Sequence, residues 1–482
     1  MIPAMTQDPV AFPASDREEL APAGALSRRG FLKVGAAGGG LLLSVSLPFA
    51  RDQAEAVGVY GFAPNAFIRI DGGGQIDLTI PYVEMGQGTY TSIPMLIAEE
   101  LEVDLDQVVV KHAPPNDRLY ANPLLGLQAT GGSTAIRAAW KPMREAGAAA
   151  RTMLIAAAAK RWTVDPGTCR AQSGEVIHTP TGRKLSYGEL AAEAAQTPVP
   201  ETIALKRPEE FRLIGKPAKR LDAAGKVDGT AVFGIDVQLP GLKVATLAQS
   251  PVFGGRVKRV DDRAARAVAG VRKIVRLDDA VAVVADHMGA AKKGLAALAI
   301  EWDDGPHASL KTDDIAAELE QATLRPGAVA QTIGDADLAM ATAAQKVEAT
   351  YQVPFLAHAT MEPMNCTVHV REDGCEVWVG SQVLARAQAA AAKTAGLPLD
   401  KVVVHNHLIG GGFGRRLEVD GVIRAVQIAR QVDGPVKVVW TREEDIQHDM
   451  YRPFWYDKLS AGLDEKGTPV AWRHRYAGSS IL

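Results

Sequence analysis

Residues 407–420, HLIGGGFGRRLEVD, set four glycines around one phenylalanine and follow them with two arginines. Glycine has no Cβ, so such a loop can adopt positive φ and turn successive N–H groups into one concavity, which suits an anionic oxygen. Upstream, KVVVHNHLI is rich in β-branched residues and predicts a strand; downstream, Val419, Val422, Ile423 and Val426 recur at helical spacing. A strand, a glycine loop and a helix N-terminus aimed at the loop would add a favourable dipole to the free N–H groups. For one such loop, a plain tight turn is an equal alternative. Arg415 and Arg416 suit either a cofactor phosphate or a cap on the loop. The dinucleotide fingerprint fails at Arg415 in one register and at Leu417 in the other, and no Walker-type ending follows, so nucleotide-dependent dehydrogenase chemistry is disfavoured.

Two more loops share this placement. Gly86, Gln87 and Gly88 follow two alternating segments within residues 66–85 and precede Ile93, Leu96, Ile97 and Leu101 at helical spacing. Gly131, Gly132, Ser133 and Thr134 precede a long alanine-rich helix that Ser133 or Thr134 can cap. Three glycine loops at helix starts imply one large, multiply anionic ligand held from several sides.

The elements that must position these loops belong to a chain of 482 residues, long enough for several domains, with the composition of a globular protein. A net charge of -3 and the lack of a basic tract with interleaved aromatics argue against a nucleic-acid partner. Cys169, Cys366 and Cys375 are too few and too scattered for an iron–sulfur cluster or a zinc knuckle, so any electrons would have to be carried by another chain. His405 and His407 share a strand face without a third ligand, and Pro363 argues against a metal-binding helix through His358 and Glu362; ordinary packing is preferred for both pairs.

Residues 27–50 place Arg28 and Arg29 before Phe31, Leu32 and Lys33 and a mildly apolar, glycine-rich run, with small residues at Ala50, Ala54 and Ala56. This pattern resembles a twin-arginine export signal, which carries folded, often cofactor-loaded proteins to the periplasm. After a leader over 1–56, the expected division is 57–208, a strand-rich unit over 212–306 beginning near Phe211, a polar helix-prone connector over 307–345, and 346–482.

GGGFG preceded by Ser381 and Gln382, together with EMGQG, TGGST and GKVDGTAVFGID, resembles the molybdopterin-binding large subunit of the xanthine dehydrogenase and aldehyde oxidase family, closest to the exported branch containing the isoquinoline 1-oxidoreductase beta subunit. The resemblance covers essentially all of the chain after the signal. It implies an α/β, multidomain fold, with two molybdopterin-binding domains, the second incomplete, flanking a small α/β hammerhead domain. It also implies hydroxylation of an aldehyde or an N-heteroaromatic ring with oxygen from water, using molybdenum–molybdopterin in its cytosine dinucleotide form.

The same likeness implies a separate small 2Fe–2S subunit and a cytochrome c acceptor, with a small molecule as substrate. It assigns metal-oxygen contacts to Gln382, Phe413 and Gly414, and cofactor binding to Gly86, Gln87, Gly88, Gly132, Ser133, Gly411, Gly412, Phe413, Gly414 and Arg415. The metal would be held by the pterin's own sulfurs, with no protein ligand. The family's catalytic glutamate belongs to a later glycine-rich motif not found here; Glu418 lies outside that motif, and the chain reads as truncated at its C-terminus, leaving a noncatalytic cofactor-binding fragment or assembly partner as the alternative.

Overall fold

The computed structural model describes residues 41–44 and 66–480. Arg28, Arg29 and most of the expected export signal lie outside the described residues. Within that run, the backbone of β1 (Leu41–Ser44) pairs antiparallel with β2 (Ala66–Ile70).

The N-terminal unit follows from its periodicity. β2 and β3 (Ile76–Ile80) form a hairpin in register Ile70↔Ile76 and Ile68↔Leu78, and the helix Thr89–Leu101 carries the chain across to β4 (Val108–His112), parallel to β3. Ile93, Leu96, Ile97 and Leu101 are buried, as their spacing requires. The long helix Ala135–Trp162 packs on this helix so closely that a Cβ on Gly147 would lie 2.4 Å from Ile97 O. With Phe67, Ile68, Leu78, Met143, Met153 and Leu154 these residues make one continuous core. A small sheet, β5 (Cys169–Gln172), β6 (Glu175–His178) and β7 (Lys184–Ser186), follows.

Two fully buried carboxylates on the helix Thr89–Leu101 then capture the chain as it leaves. Glu99 accepts the N–H groups of Arg212, Leu213 and Ile214 and pairs with Lys206 at 2.7 Å. Glu100 pairs with Arg144 at 2.7 Å and accepts Lys206 N–H. Burial opposes ionisation of Glu99, but these donors outweigh it and hold the carboxyl below its ordinary range.

The strand-rich reading from Phe211 needs correction. Residues 211–242 form turns, one 3-10 segment and the short helix Ala223–Asp228, and strands resume only at β8 (Lys243–Gln249). The turn residues that suggested strands here serve a strap laid over the first unit. Beyond it come β9 (Arg256–Asp261), β10 (Val271–Arg276), β11 (Ala280–Ala285) and β12 (Ala299–Asp303), then the helices Thr312–Thr323 and Ala336–Thr342 and β13 (Gln345–Val353).

A seven-stranded sheet, ordered β10-β11-β8-β17-β14-β15-β16, joins these strands to β14 (Asn365–Val370), β15 (Cys375–Val379), β16 (Val402–Asn406) and β17 (Val436–Val439). It therefore draws strands from both the 212–306 and the 346–482 segments, which meet where β8 pairs parallel with β17. Its core, including Leu247, Cys366, Val377, Val426 and Val438, is distinct from the first. β18 (Trp455–Leu463) and β19 (Pro469–Gly478) form a third sheet with β13.

β15 and β16 run parallel through the helix Leu384–Ala395, so the loops leaving their C-terminal ends emerge side by side. One carries Gln382 and the other Gly410–Gly414. The Gly86–Gly88 loop leaves β3 in the same way, matching the preference of ligands for the C-terminal ends of parallel strands.

Candidate functional site

The loop after β16 is fixed at its start by a carboxylate. Glu362, buried, accepts Gly410 N–H through Oε2 at 2.8 Å, while its Oε1 accepts Ile235 N–H at 3.0 Å and Asn365 Nδ2 at 2.9 Å. Gly411 and Gly414 then take φ +101° and +108°, and Phe413, although not glycine, takes +53°. Arg415 N–H donates to Gly412 O at 2.8 Å and closes the turn. The N–H groups of Gly411, Gly412, Phe413 and Gly414 donate to no described residue. Four successive open donors are what the glycine spacing predicts for an anion site, and the ring of Phe413 points outward, 66% exposed.

The loops meet here. A Cβ on Gly412 would lie 2.4 Å from Met85 Sδ and 2.7 Å from Gln382 Oε1. Gln382 is held at every other polar atom: its N–H donates to Arg416 O at 2.9 Å, its carbonyl accepts Thr130 N–H at 3.0 Å, and its Nε2 donates to Thr130 O at 2.6 Å. Its Oε1 is enclosed and has no hydrogen-bond partner among the described residues. A buried acceptor left so costs about 1–3 kcal/mol unless a ligand supplies a donor. Thr130 also accepts Val83 N–H at 2.9 Å, and a Cβ on Gly131 would touch Leu417 at 3.4 Å. The segment before Gly86, the Gly131 loop, Gln382 and the Gly410–Gly414 loop thus form one body.

Several expected roles change. Gly86 and Gly88 donate their N–H groups to Glu84 Oε1 at 2.8 and 3.1 Å, and Tyr90 N–H donates to Glu84 Oε2 at 3.0 Å. Gln87 accepts Met85 N–H and donates to Val83 O. This loop satisfies itself around a buried carboxylate rather than offering those donors to an anion.

Arg415 is 4% exposed, with both Nη atoms on Asp420 at 2.8 and 2.7 Å and its Nε 2.7 Å from Asp449 Oδ1, off the line of its N–H. Arg416 donates to Glu362 O and Pro363 O, and burial pushes its pKa down. Neither guanidinium is presented to a phosphate. Helix geometry differs too: Gly414 leads into a 3-10 turn, Arg415–Leu417, and the helix Asp420–Ala429 starts only beyond it.

At the remaining loop, Gly132 and Ser133 take φ +59° and +54°, and the N–H groups of Gly131, Gly132 and Ser133 donate to no described residue. Thr134 sits at the N-cap, yet no side chain caps the helix, because its hydroxyl donates to Gly131 O at 2.6 Å and accepts from Asn122 at 2.7 Å. The first turn of this 28-residue helix stays open beside those donors.

The residues that sequence reasoning missed are the carboxylates. Glu84 precedes Gly86 by two positions and Gly88 by four, a spacing at which an acidic side chain folds back on its own backbone, and this was the available signal. Glu362 gave none. Arg220 pairs with Glu84 at 2.8 Å and donates to Gly86 O at 2.7 Å, while Asp222 and Lys226 complete the strap. His405 pairs with Glu376, and no group of three potential metal ligands occurs among the described residues.

The strap carries a pH signature. Asp222 is held down at about 2, chiefly by the Arg220 hydrogen bond, with burial opposing and Lys226 adding to the effect. An unfolded Asp titrates near ~3.9. A folded value below the unfolded one gives stabilisation that is complete above about pH 4 and lost as pH falls towards about 2. Hydrogen-exchange protection over residues 220–230, corrected for intrinsic rates, is expected to fall only in that window; protection unchanged through it would refute the strap's electrostatic origin.

Comparison with known proteins matches the molybdopterin cofactor-binding domain twice, over residues 14–238 and 320–479. The chain belongs to the molybdopterin cofactor-binding family. It is 34% identical to the beta subunit of isoquinoline 1-oxidoreductase from Brevundimonas diminuta, covering 95% of this chain and 64% of the relative. It is 30% identical to a membrane-bound aldehyde dehydrogenase (pyrroloquinoline-quinone) of Gluconacetobacter polyoxogenes, covering 94% and 60%, and 28% identical to one subunit of the nicotinate dehydrogenase of Pseudomonas putida, covering 84% and 34%. The chain spans about three-fifths of the length of the first two relatives. The α/β, multidomain expectation with two molybdopterin-binding domains holds. The residues fit the group: open N–H donors at Gly411–Gly414 and Gly131–Ser133, an unpartnered Gln382 acceptor, and a Gly412 contact that a Cβ would fill.

Proposed function

We propose that this chain belongs to the large subunit of a molybdenum hydroxylase that oxidises aldehydes or N-heteroaromatic compounds with water as oxygen source. The names of the relatives support the substrate classes. The observation that carries the reading is the row of open N–H groups from Gly411 to Gly414 against Gln382. When bound, molybdenum–molybdopterin supplies the redox chemistry. In this reading the N–H groups of Phe413 and Gly414 would hold anionic oxygens, Gln382 would orient the group, and the N–H groups of Gly132 and Ser133 would bind the phosphates of a cytosine dinucleotide. Gly86, Gln87 and Gly88 act by shaping the wall next to Met85. No described residue is assigned the role of the proton-accepting glutamate.

The partition into 57–208, a hammerhead unit over 212–306 and a unit over 346–482 is part of the proposal, with the β8–β17 pairing as the seam. Electrons pass to a small 2Fe–2S subunit and on to a cytochrome c. A noncatalytic cofactor-binding fragment or assembly partner is the second reading. Purified protein is expected to carry stoichiometric molybdenum by elemental analysis and to release cytidine monophosphate on acid hydrolysis; absence of both sinks the cofactor assignment. For location, Arg28→Lys with Arg29→Lys is expected to leave the protein in the cytoplasm, and undisturbed periplasmic accumulation would reject the twin-arginine route.

A further inference from the structure

We propose that His358 is the acceptor half of the Gly411–Gly414 site, so that this site selects ligands bearing both an anionic oxygen and an exchangeable hydrogen. His358 Nδ1 lies 3.1 and 3.0 Å from the two oxygens of Asp449, whose side chain is 2% exposed, and His358 N–H also donates to Asp449. A carboxylate only accepts, so Nδ1 carries a hydrogen, and in the neutral imidazole Nε2 is then a bare lone pair. Asp449 stays ionised: burial opposes its charge, while the His358 bonds and the neighbouring Arg415 guanidinium outweigh it.

Nε2 has no hydrogen-bond partner among the described residues and lies 3.5 Å from the point a Cβ on Gly414 would occupy, at the end of the donor row. Donors alone hold any oxyanion. Donors beside a fixed acceptor favour a protonated one, because a fully deprotonated anion would turn a lone pair towards a lone pair. The proposal rests on the donor row of the proposed function and adds His358 as a ligand-contacting residue, with Asp449 and Arg415 as positioning residues.

The test uses the apoprotein at about pH 8, where an ordinary histidine is neutral, with inorganic phosphate and sulfate as probes. Hydrogen phosphate carries an O–H and sulfate does not. Phosphate is expected to bind at least about tenfold more tightly, the worth of one hydrogen bond, and His358→Phe is expected to remove the preference while keeping sulfate affinity. Imidazole nitrogen-15 shifts are expected to show His358 protonated at Nδ1 and bare at Nε2, a reading that does not depend on any variant folding. Equal binding of the two anions, or an Nε2–H tautomer, overturns the acceptor role alone. Failure of both anions to bind overturns the donor row and the cofactor reading with it.

Discussion

Gly412→Val is expected to abolish cofactor retention, with molybdenum in the purified protein falling at least about tenfold while the N-terminal core stays folded. Backbone strain is not the reason, since Gly412 is absent from the glycines with positive φ. The cause is contact: the new Cβ would stand 2.4 Å from Met85 Sδ and 2.7 Å from Gln382 Oε1. Met85 ends a flexible side chain and can swing away. Gln382 cannot, because three hydrogen bonds to Thr130 and Arg416 fix both its backbone and its amide. The loop must therefore retreat, and the donors of Gly411, Phe413 and Gly414 retreat with it. Displacements near 1 Å at a preorganised site commonly cost about a hundredfold. Gly327→Ala is the control, with nothing within 4 Å of its Cβ and no positive φ. Retention by Gly412→Val at the level of that control would remove this loop from the site.

Glu84→Ala is expected to destabilise the chain by about 2–4 kcal/mol, since hydrogen bonds to a charged acceptor contribute roughly 1.5–3 kcal/mol each. Glu84 is 1% exposed and accepts three backbone N–H groups and the Thr89 hydroxyl while pairing with Arg220. Truncation leaves the three backbone N–H groups without an acceptor, inside a helix start that lacks any other cap, while Arg220 keeps Asp222 and the Thr89 hydroxyl keeps Val83 O. Glu84→Gln keeps one carbonyl oxygen in place and is expected to lose roughly half as much. Urea unfolding followed by far-ultraviolet circular dichroism measures both. A loss below about 1 kcal/mol for the alanine variant would mean that the Gly86–Gly88 loop is held by its flanking strand and helix instead.

The sequence made the loops legible and left their wiring hidden. Period-two alternation located β2 and β3, and period 3.6 located the helix Thr89–Leu101, because both depend on neighbours in the chain. Glycine clusters marked all three loops for the same reason. Which N–H groups remain open depends on distant carboxylates: Gly410 meets Glu362, 48 positions away, and Arg415 is drawn inward by Asp449. An arginine after a glycine loop looks the same in sequence whether it faces a phosphate or an aspartate. The strap over 211–242 misled for a related reason. Its turns read as the ends of strands, and distant partners fix what they connect: Glu99 for residues 212–214, Glu84 for Arg220 and Thr91 for Leu221 N–H.

The parallel seam between β8 and β17 has a consequence for synthesis. β8 ends at Gln249 and its partner begins at Val436, so 436 - 249 = 187 positions separate them. At a translation rate of about 5–20 residues per second, roughly 10–40 s pass before the partner leaves the ribosome. Once β11 has been made, β8 and β11 can form an antiparallel pair whose outer edge stays open for the rest of that interval, with Leu247 and Ala245 awaiting cover. An unpaired apolar edge of this kind is a template for association with other nascent chains. The first core needs nothing beyond Ile214 and can close early. The polypeptide therefore emerges as a finished head trailing an adhesive half-sheet, and shielding that half-sheet is the demand it places on the cell's chaperones.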